Sequence, residues 1–339
     1  MDISIDKLRN YIKNLSSAKI LVIGDLALDE MVYGDTERIS REAPVLILQH
    51  SYTKYILGGA SNSAHNVSDV NGGKVSVIGI VGDDYQAQDL KNAFKDAGID
   101  CSSLIVDKER KTITKTRISG SCSQSVTQQI VRIDRQTNAP LSEETENKLI
   151  DAVKNKIADY DAVILSDYHI GTLSQKVIDK TIELAVINKK IAVVDAQKNL
   201  NCYKGAYSLT PNLPDAQKHV GFYLRNKEDF VKAGSQIIDE TGANNILITC
   251  GSDGMVVIDK NGHYVHIPVF NKSKVFDVTG AGDTVTALYT LALASGAEPV
   301  YAAIIGNIAA SIVIKQFGCA TTTVEEILAS VPKEINVEG

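Results

Sequence analysis

Hydrophobic spacing divides the chain into stretches with two different repeats. Residues 4 to 16 place Ile5, Leu8, Ile12 and Leu15 at three- and four-residue steps, the repeat of a helix with one apolar face. Lys19 to Ile23 is a short apolar run ending in Gly24-Asp25, which predicts a first buried strand. Gly58-Gly59 opens a helix through Val70, Val75 to Ile80 reads as a strand, and Ala87 to Ala97 as a helix. Beyond Ser142 the alternation is regular: helix 142–157, strand 161–166, helix 174–187, strands 191–195 and 206–209, helix 227–240, strand 245–250. Met255 to Asp259 and His263 to Pro268 predict a hairpin turning at Asn261-Gly262, and helices over 281–295 and 299–315 follow. Strands and helices alternating at this spacing predict an α/β fold with a mostly parallel sheet covered on both faces.

Two stretches depart from that rhythm. From Glu30 to Leu57, short runs at Met31 to Tyr33, Val45 to Gln49 and Tyr52 to Ile56 read as strands with turns between. From Thr112 to Arg135, TITKTRIS and QQIVRID alternate polar and apolar residues as half-exposed strands do. The expected division is a core of residues 1–29, 58–111 and 136–339 and a small β-sheet lid of residues 30–57 and 112–135.

Composition changes this picture little. Hydrophobic content of 44% and charged content of 22% are ordinary for a globular chain of 339 residues. A net charge of −6 leaves no basic block to follow a nucleic-acid backbone, so no nucleic-acid partner is expected. The 5 cysteines contain no C-x-x-C pair, which fits reduced thiols rather than a zinc site. The N-terminus is too charged for a signal peptide, and the apolar stretch near the C-terminus is broken at Gly296 to Pro299. A cytoplasmic protein with no membrane partner is the expectation.

The stretch most loaded with chemistry is Asp277 to Asp283, DVTGAGD, followed by an apolar run from Val285 to Ala294. Glycines spaced one apart leave backbone N–H groups uncovered at a helix start, where amides and dipole favour an anion. A carboxylate there, Asp283, can take a proton from a substrate hydroxyl while the amides of Gly280, Ala281 and Gly282 hold charge on a phosphoryl group in transfer. The same heptapeptide also reads as an ordinary helix start capped by Asp277 or Thr279.

Other stretches add to it. Gly24, Asp25 and Asp29 set two acids at the carboxyl end of a first strand, and no G-x-G-x-x-G follows, which counts against a nicotinamide or flavin site. In GGASNSAHN, residues 58–66, paired glycines let backbone approach a ligand, and Asn62 and Asn66 share a helix face as sugar-binding amides or as solvated ones. TPNLPD at 210–215 reads as a proline-fixed loop offering Asn212 and Asp215, TCGSDG at 249–254 as a glycine-rich turn, and Asn307 lies in an apolar helix.

In this order, GGxxxNxA early and DxTGAGDT late, with G-D-x-x-x-D and T-P-N between, the chain resembles the ribokinase-like (PfkB) carbohydrate kinases over roughly residues 19–330. GDLALDEMVYG, RISREAPV, TKTR, QQIVRID, LSDY and VFDVTGAGDTV are similar to the heptose-7-phosphate kinase branch, the kinase half of bifunctional heptose enzymes. No nucleotidyltransferase segment follows them, so a stand-alone kinase is expected. The resemblance implies a three-layer α/β/α core, a lid that often builds a homodimer, and ATP with Mg²⁺, a monovalent cation such as K⁺ being common in the family. It implies Asp283 as base, the Gly280, Ala281 and Gly282 amides as anion hole, and Asp29, Gly58, Gly59, Asn62 and Asn66 at the sugar. Asn212, Thr249, Gly251, Gly254 and Asn307 would serve the nucleotide, and Asp215 the Mg²⁺ through water. The branch's D-Y-x-K-G is here Asp167 to Gly171 with Ile170 for lysine, and its D-P-K-G has Gln197 in place of lysine. N-x-x-E ends in Asp215, and RISPEAPV carries Arg41 for proline. Lys115, Arg117 and Arg132, with Arg41 and Lys198, are the cations left to meet a sugar phosphate. The reading is an ATP-dependent kinase of a sugar or sugar phosphate of the heptose 7-phosphate type. The alternatives are a kinase of an unphosphorylated sugar or nucleoside and a sugar-binding regulator without turnover.

Overall fold

A computed structural model describes residues 2–122, 125–270 and 275–339. In chain order the strands are β1 (Ile20–Gly24), β2 (Leu26–Ile39), β3 (Leu46–Gly59), β4 (Val75–Val81), β5 (Asp100–Val106), β6 (Ile113–Cys122), β7 (Ser125–Arg135), β8 (Ala162–Asp167), β9 (Ile191–Ala196), β10 (Ser208–Leu209), β11 (Asn245–Thr249), β12 (Met255–Asp259) and β13 (Tyr264–Ile267). The helices are α1 (Ile5–Asn14), α2 (Ala60–Asn71), α3 (Tyr85–Asp96), α4 (Glu143–Lys156), α5 (Gln175–Ile187), α6 (Leu213–Val220), α7 (Lys227–Thr241), α8 (Ala281–Ala294), α9 (Pro299–Val313) and α10 (Val324–Ala329).

Nine strands form the main sheet in the order β13-β12-β11-β10-β9-β8-β1-β4-β5. All its pairings are parallel except those of β12 with β11 and β13. β1 and β8 are buried at every position, as strands covered on both faces are. Successive residues feed opposite layers: Ile20 and Val22 pack with α2, α8 and α9, while Leu21 and Ile23 pack with α4, α5 and α7. This is the expected three-layer α/β/α core. Among the described residues no helix is long and apolar enough to cross a membrane.

β3, β2, β6 and β7 make a second, four-stranded sheet. β2 pairs antiparallel with β3 and parallel with β6, and β6 pairs antiparallel with β7. Register puts Ile56, Asp29, Lys115 and Asp134 in one row and Lys54, Met31, Arg117 and Arg132 in a second row on the same face. Tyr55, Glu30, Thr116 and Ile133 share the other face.

The strands at Met31 to Tyr33, Val45 to Gln49 and Tyr52 to Ile56 turn out, Val45 excepted, to be parts of two 14-residue strands, with bulges between Tyr33 and Gly34 and between Thr36 and Arg38 interrupting the period-2 pattern. TPNLPD is not all loop: Asn212 caps α6, and Pro214 sits in its first turn, where a missing N–H is tolerated. β5 at the sheet edge and α10, with its Thr323–Glu326 capping box, carried no signal strong enough to be read from spacing.

Candidate active site

α8 is buried along nearly its whole length, and its first turn opens on the cleft between the two sheets. Asp277 precedes it, but its carboxylate accepts from the Thr279 amide at 2.9 Å, the Thr279 hydroxyl at 2.7 Å and the Gly318 amide at 2.9 Å. The cap position belongs instead to Gly280, which offers no side chain. Its φ of 77° is left-handed, and a Cβ on it would lie 2.5 Å from Asn62 Nδ2, so conformation and close approach both require glycine. A Cβ at Gly282 would meet nothing within 4 Å, which leaves that backbone open to a ligand. The Ala281 amide donates to Val278 O at 3.2 Å, while among the described residues the Gly282 and Asp283 amides have no partner. Uncapped amides at a buried apolar helix make a site of positive potential.

Asp283 is 4% exposed within it. Oδ2 accepts from Asn62 Nδ2 at 2.8 Å and Oδ1 from the Tyr168 hydroxyl at 2.6 Å. Burial pushes the carboxyl up, the Asn62 and Tyr168 hydrogen bonds and nearby Lys115 pull it back, and Asp29 raises it, leaving it at about 6. That is a carboxyl ionised at neutral pH yet basic enough to accept a proton. Asn62 also donates to Gly280 O at 3.4 Å, and Asn66 Nδ2 donates to Asn62 O at 3.0 Å and Oδ1 at 3.1 Å. Both asparagines are fully buried, so Asn66 braces Asn62 from behind.

In the sequence the loop after β8 stood out for Ile170 in place of a lysine, with no role for Tyr168, which it supplies. Asp25 sits under it and accepts the amides of Tyr168, Ile170 and Thr172, each at 3.0 Å. Arg110, 9% exposed, donates to the carbonyls of Thr137 at 2.5 Å, Ala139 at 2.6 Å and Ile170 at 3.0 Å. Between these anchors His169 takes a left-handed φ of 57°. Ile170 turns inward onto Ala27 and Ile113, with Tyr168 against them.

A cavity of about 530 Å³ lies between the α8 approach and the small sheet, lined by Asp29, Met31, Ile56 and Arg117 from one side and Asp277, Thr279 and Cys319 from the other. Arg117 Nη1 is 3.0 Å from Asp29 Oδ1, but off the line of a hydrogen bond, so that oxygen stays without one. Arg132 pairs with Asp134 at 2.6 and 2.7 Å. Lys115 Nζ stands 5.4 Å over the Tyr168 ring. Gly58 lies against the Asp29 carboxyl, where a Cβ would come within 3.0 Å of it.

The remaining predicted residues gather at the other end of the same sheet edge. Asn212 accepts the Asp215 amide at 2.8 Å and bridges to Thr249. Burial raises the Asp215 carboxyl, while Asn212, Lys218, Lys198 and His169 draw it down. Gly251 is open to solvent, Gly254 is packed against Ile267 O, and Asn307 donates to Pro268 O at 2.9 Å. Half-buried Asp195 on β9 is pushed up to about 8 by burial and then by Asp283, Asp215 and Asp167.

The family model described as pfkB family carbohydrate kinase matches residues 17–326. The chain belongs to that family. This pfkB kinase is 37% identical over 329 residues to the bifunctional protein HldE of Pelobacter propionicus, covering 97% of this chain and 65% of that protein. It is 38% identical over 320 residues to the bifunctional protein HldE of Trichlorobacter lovleyi, covering 94% and 64%. The pfkB kinase thus spans a little under two thirds of the length of these relatives. Among solved structures it is similar to Arabidopsis thaliana ribokinase complexed with ribose and ATP, with TM-score 0.69, 16% identity and coverage of 92% and 98%. Phosphofructokinase-2 of Escherichia coli in complex with potassium gives TM-score 0.73 at 17% identity, covering 92% and 97%. At such identities these two establish the ribokinase-like fold.

Proposed function

We propose that this kinase moves the γ-phosphoryl group of ATP to a hydroxyl of a sugar or sugar phosphate, with a heptose 7-phosphate as first acceptor to test. The observation that carries the reaction is Asp283, a buried carboxylate at an uncapped helix start beside amides without partners. In this reading Asp283 accepts the acceptor's proton as its oxygen attacks, and the Gly280 and Gly282 amides hold the charge that builds on the transferred group, joined by the Ala281 amide once it leaves Val278 O. Asp29, with an oxygen free of hydrogen bonds, and Asn62 bind acceptor hydroxyls, with Gly58, Gly59 and Asn66 shaping that wall. Lys115, Arg117 and Arg132 face the acceptor from the small sheet. Asn212, Thr249, Gly251, Gly254 and Asn307 form the nucleotide end. Among the described residues no three acids, histidines or cysteines converge as a direct metal cage, which suits an ion held through water beside the acids of the strand ends, where Asp283, Asp215 and Asp167 add to burial in pushing Asp195 up. Asp215 would hold Mg²⁺ through water, and the ion would supply charge neutralisation for the phosphates. The exposed Tyr55, Val131 and Ile133 on the far face of the small sheet support a homodimer through it.

One observation favours an acceptor without a phosphate. Ile170 is packed among Ala27 and Ile113, Gln197 is exposed, and Arg117 and Arg132 are already paired to acids. ADP release with Mg-ATP should be compared for heptose 7-phosphate, free hexoses, ribose and adenosine. Turnover with heptose 7-phosphate alone supports the first reading. Turnover with an unphosphorylated acceptor selects the second, and no ADP with any acceptor would favour a sugar-binding regulator.

A further inference from the structure

Tyr168 touches both the base and the small sheet. Its hydroxyl donates to Asp283 Oδ1 at 2.6 Å, its backbone amide is fixed on Asp25 at 3.0 Å, and its ring lies under Lys115 Nζ at 5.4 Å. Gly59 lies beside the ring: with φ at 56°, a Cβ there would stand 2.8 Å from Asp25 O, while its 3.6 Å from Tyr168 Cε2 would be ordinary contact. Asn62 holds the other carboxylate oxygen at 2.8 Å. A carboxylate gripped at both oxygens cannot rotate about its terminal torsion without breaking one hydrogen bond in a buried setting.

We propose that Tyr168 is a positioning residue for Asp283: with Asn62 it fixes the plane of the base carboxylate, and through Lys115 it ties that plane to the small sheet. Each carboxylate oxygen has two lone pairs, so the grip leaves room for an acceptor hydroxyl at the same time. The phenol stays protonated throughout, since burial and the Asp283 and Asp195 charges raise it far above neutrality. It therefore steers the proton's destination without receiving it. The inference rests on Asp283 being the base.

The groups that face Asp283 are Asn62 of α2, Tyr168 after β8, Lys115 of β6, Asp29 of β2, Asp195 of β9 and Cys319 beyond α9. Of these, Asn62 and Tyr168 are the hydrogen-bond donors to its side chain. Removing the phenol hydroxyl takes away a bond to the charged form, so the carboxyl must rise further. In Tyr168→Phe the acid limb of kcat/KM should move up by about one pH unit, and kcat on the plateau should fall by about 10-fold while the KM for nucleotide holds. A carbon-13 titration of the Asp283 carboxyl in the unliganded Tyr168→Phe protein should show the same displacement without turnover. Asp283→Asn is the companion variant. If Asp283→Asn is inactive and Tyr168→Phe keeps the wild-type limb and carboxyl titration, the positioning role is overturned and the base stands. If Asp283→Asn is fully active, the base assignment falls and this inference with it.

Discussion

At the start of α8, Asp283 is 4% exposed and each oxygen accepts a hydrogen bond from a residue 221 or 115 positions away. Across the cleft, Arg132 and Asp134 sit two apart on one strand, bonded at 2.6 Å with side chains 43% and 40% exposed. Arg117 and Asp29 are intermediate, 18% and 8% exposed. On the helix side an unmet partner is stranded in a low dielectric, whereas on the sheet side water and salt take over a broken pair at little cost. On the proposed reading, the base is held by the core, while Arg132, a cation that would meet the acceptor, is held by a solvated pair.

The sharpest way to break this contrast is at Asp283. Asp283→Asn should lower kcat by about 10²–10⁴-fold with nucleotide KM little changed, measured by ADP release. A loss confined to KM would mean that the helix side only binds. Next in size are the sheet cations. Arg117→Ala, which leaves Asp29 buried without its counter-charge, should raise acceptor KM about 10- to 100-fold, while Arg132→Ala should stay within about 3-fold because its pair is solvated. Equal effects from the two would erase the distinction between buried and exposed pairs.

The smallest effect tests the acid cluster at the strand ends. Asp195 is pushed up to about 8, so the folded chain keeps its proton where the unfolded chain has lost it. The contribution of Asp195 to stability is therefore highest below the ordinary carboxyl range and falls as pH rises from about 4 toward 8. Without Mg²⁺, Asp195→Asn should be more stable than wild type at pH 8 by on the order of 1–3 kcal/mol, with the difference gone at pH 4, by denaturant melts. A constant difference across pH would mean that Asp195 does not change charge.

What the sequence showed of the fold came from period and punctuation. Ile20 to Ile23, the regular alternation after Ser142 and the Asn261-Gly262 turn all mark elements that the chain forms. Bulges hid the length of β2 and β3, and Pro214 masked the start of α6, because a proline in a first turn and a proline in a loop look alike in a string. At the site, DVTGAGD pointed to a glycine-rich helix start, but the use of Asp277 as a loop tie rather than a cap depends on Gly318, 41 residues on. Asp25 showed as an acid at a strand end, but its task stayed hidden, as did those of Arg110 and Tyr168, because each acts on a partner between 60 and 147 positions away. The D-Y pair at Asp167-Tyr168 is visible in the string, but nothing in its spacing says that the phenol reaches a carboxylate on a helix.

β2 starts one residue after β1 ends, with only Asp25 between, and β3 runs straight into α2 without a spacer. Anyone grafting the small sheet of one such enzyme onto the core of another thus has no slack in which to hide a mismatch. One residue added or removed at the first seam would turn Asp29 and Met31 to the opposite face of the small sheet, and one at the second would do the same to Ile56 and Lys54. Transplants should therefore be cut within the tip between β2 and β3, where length can vary, and never at the seams.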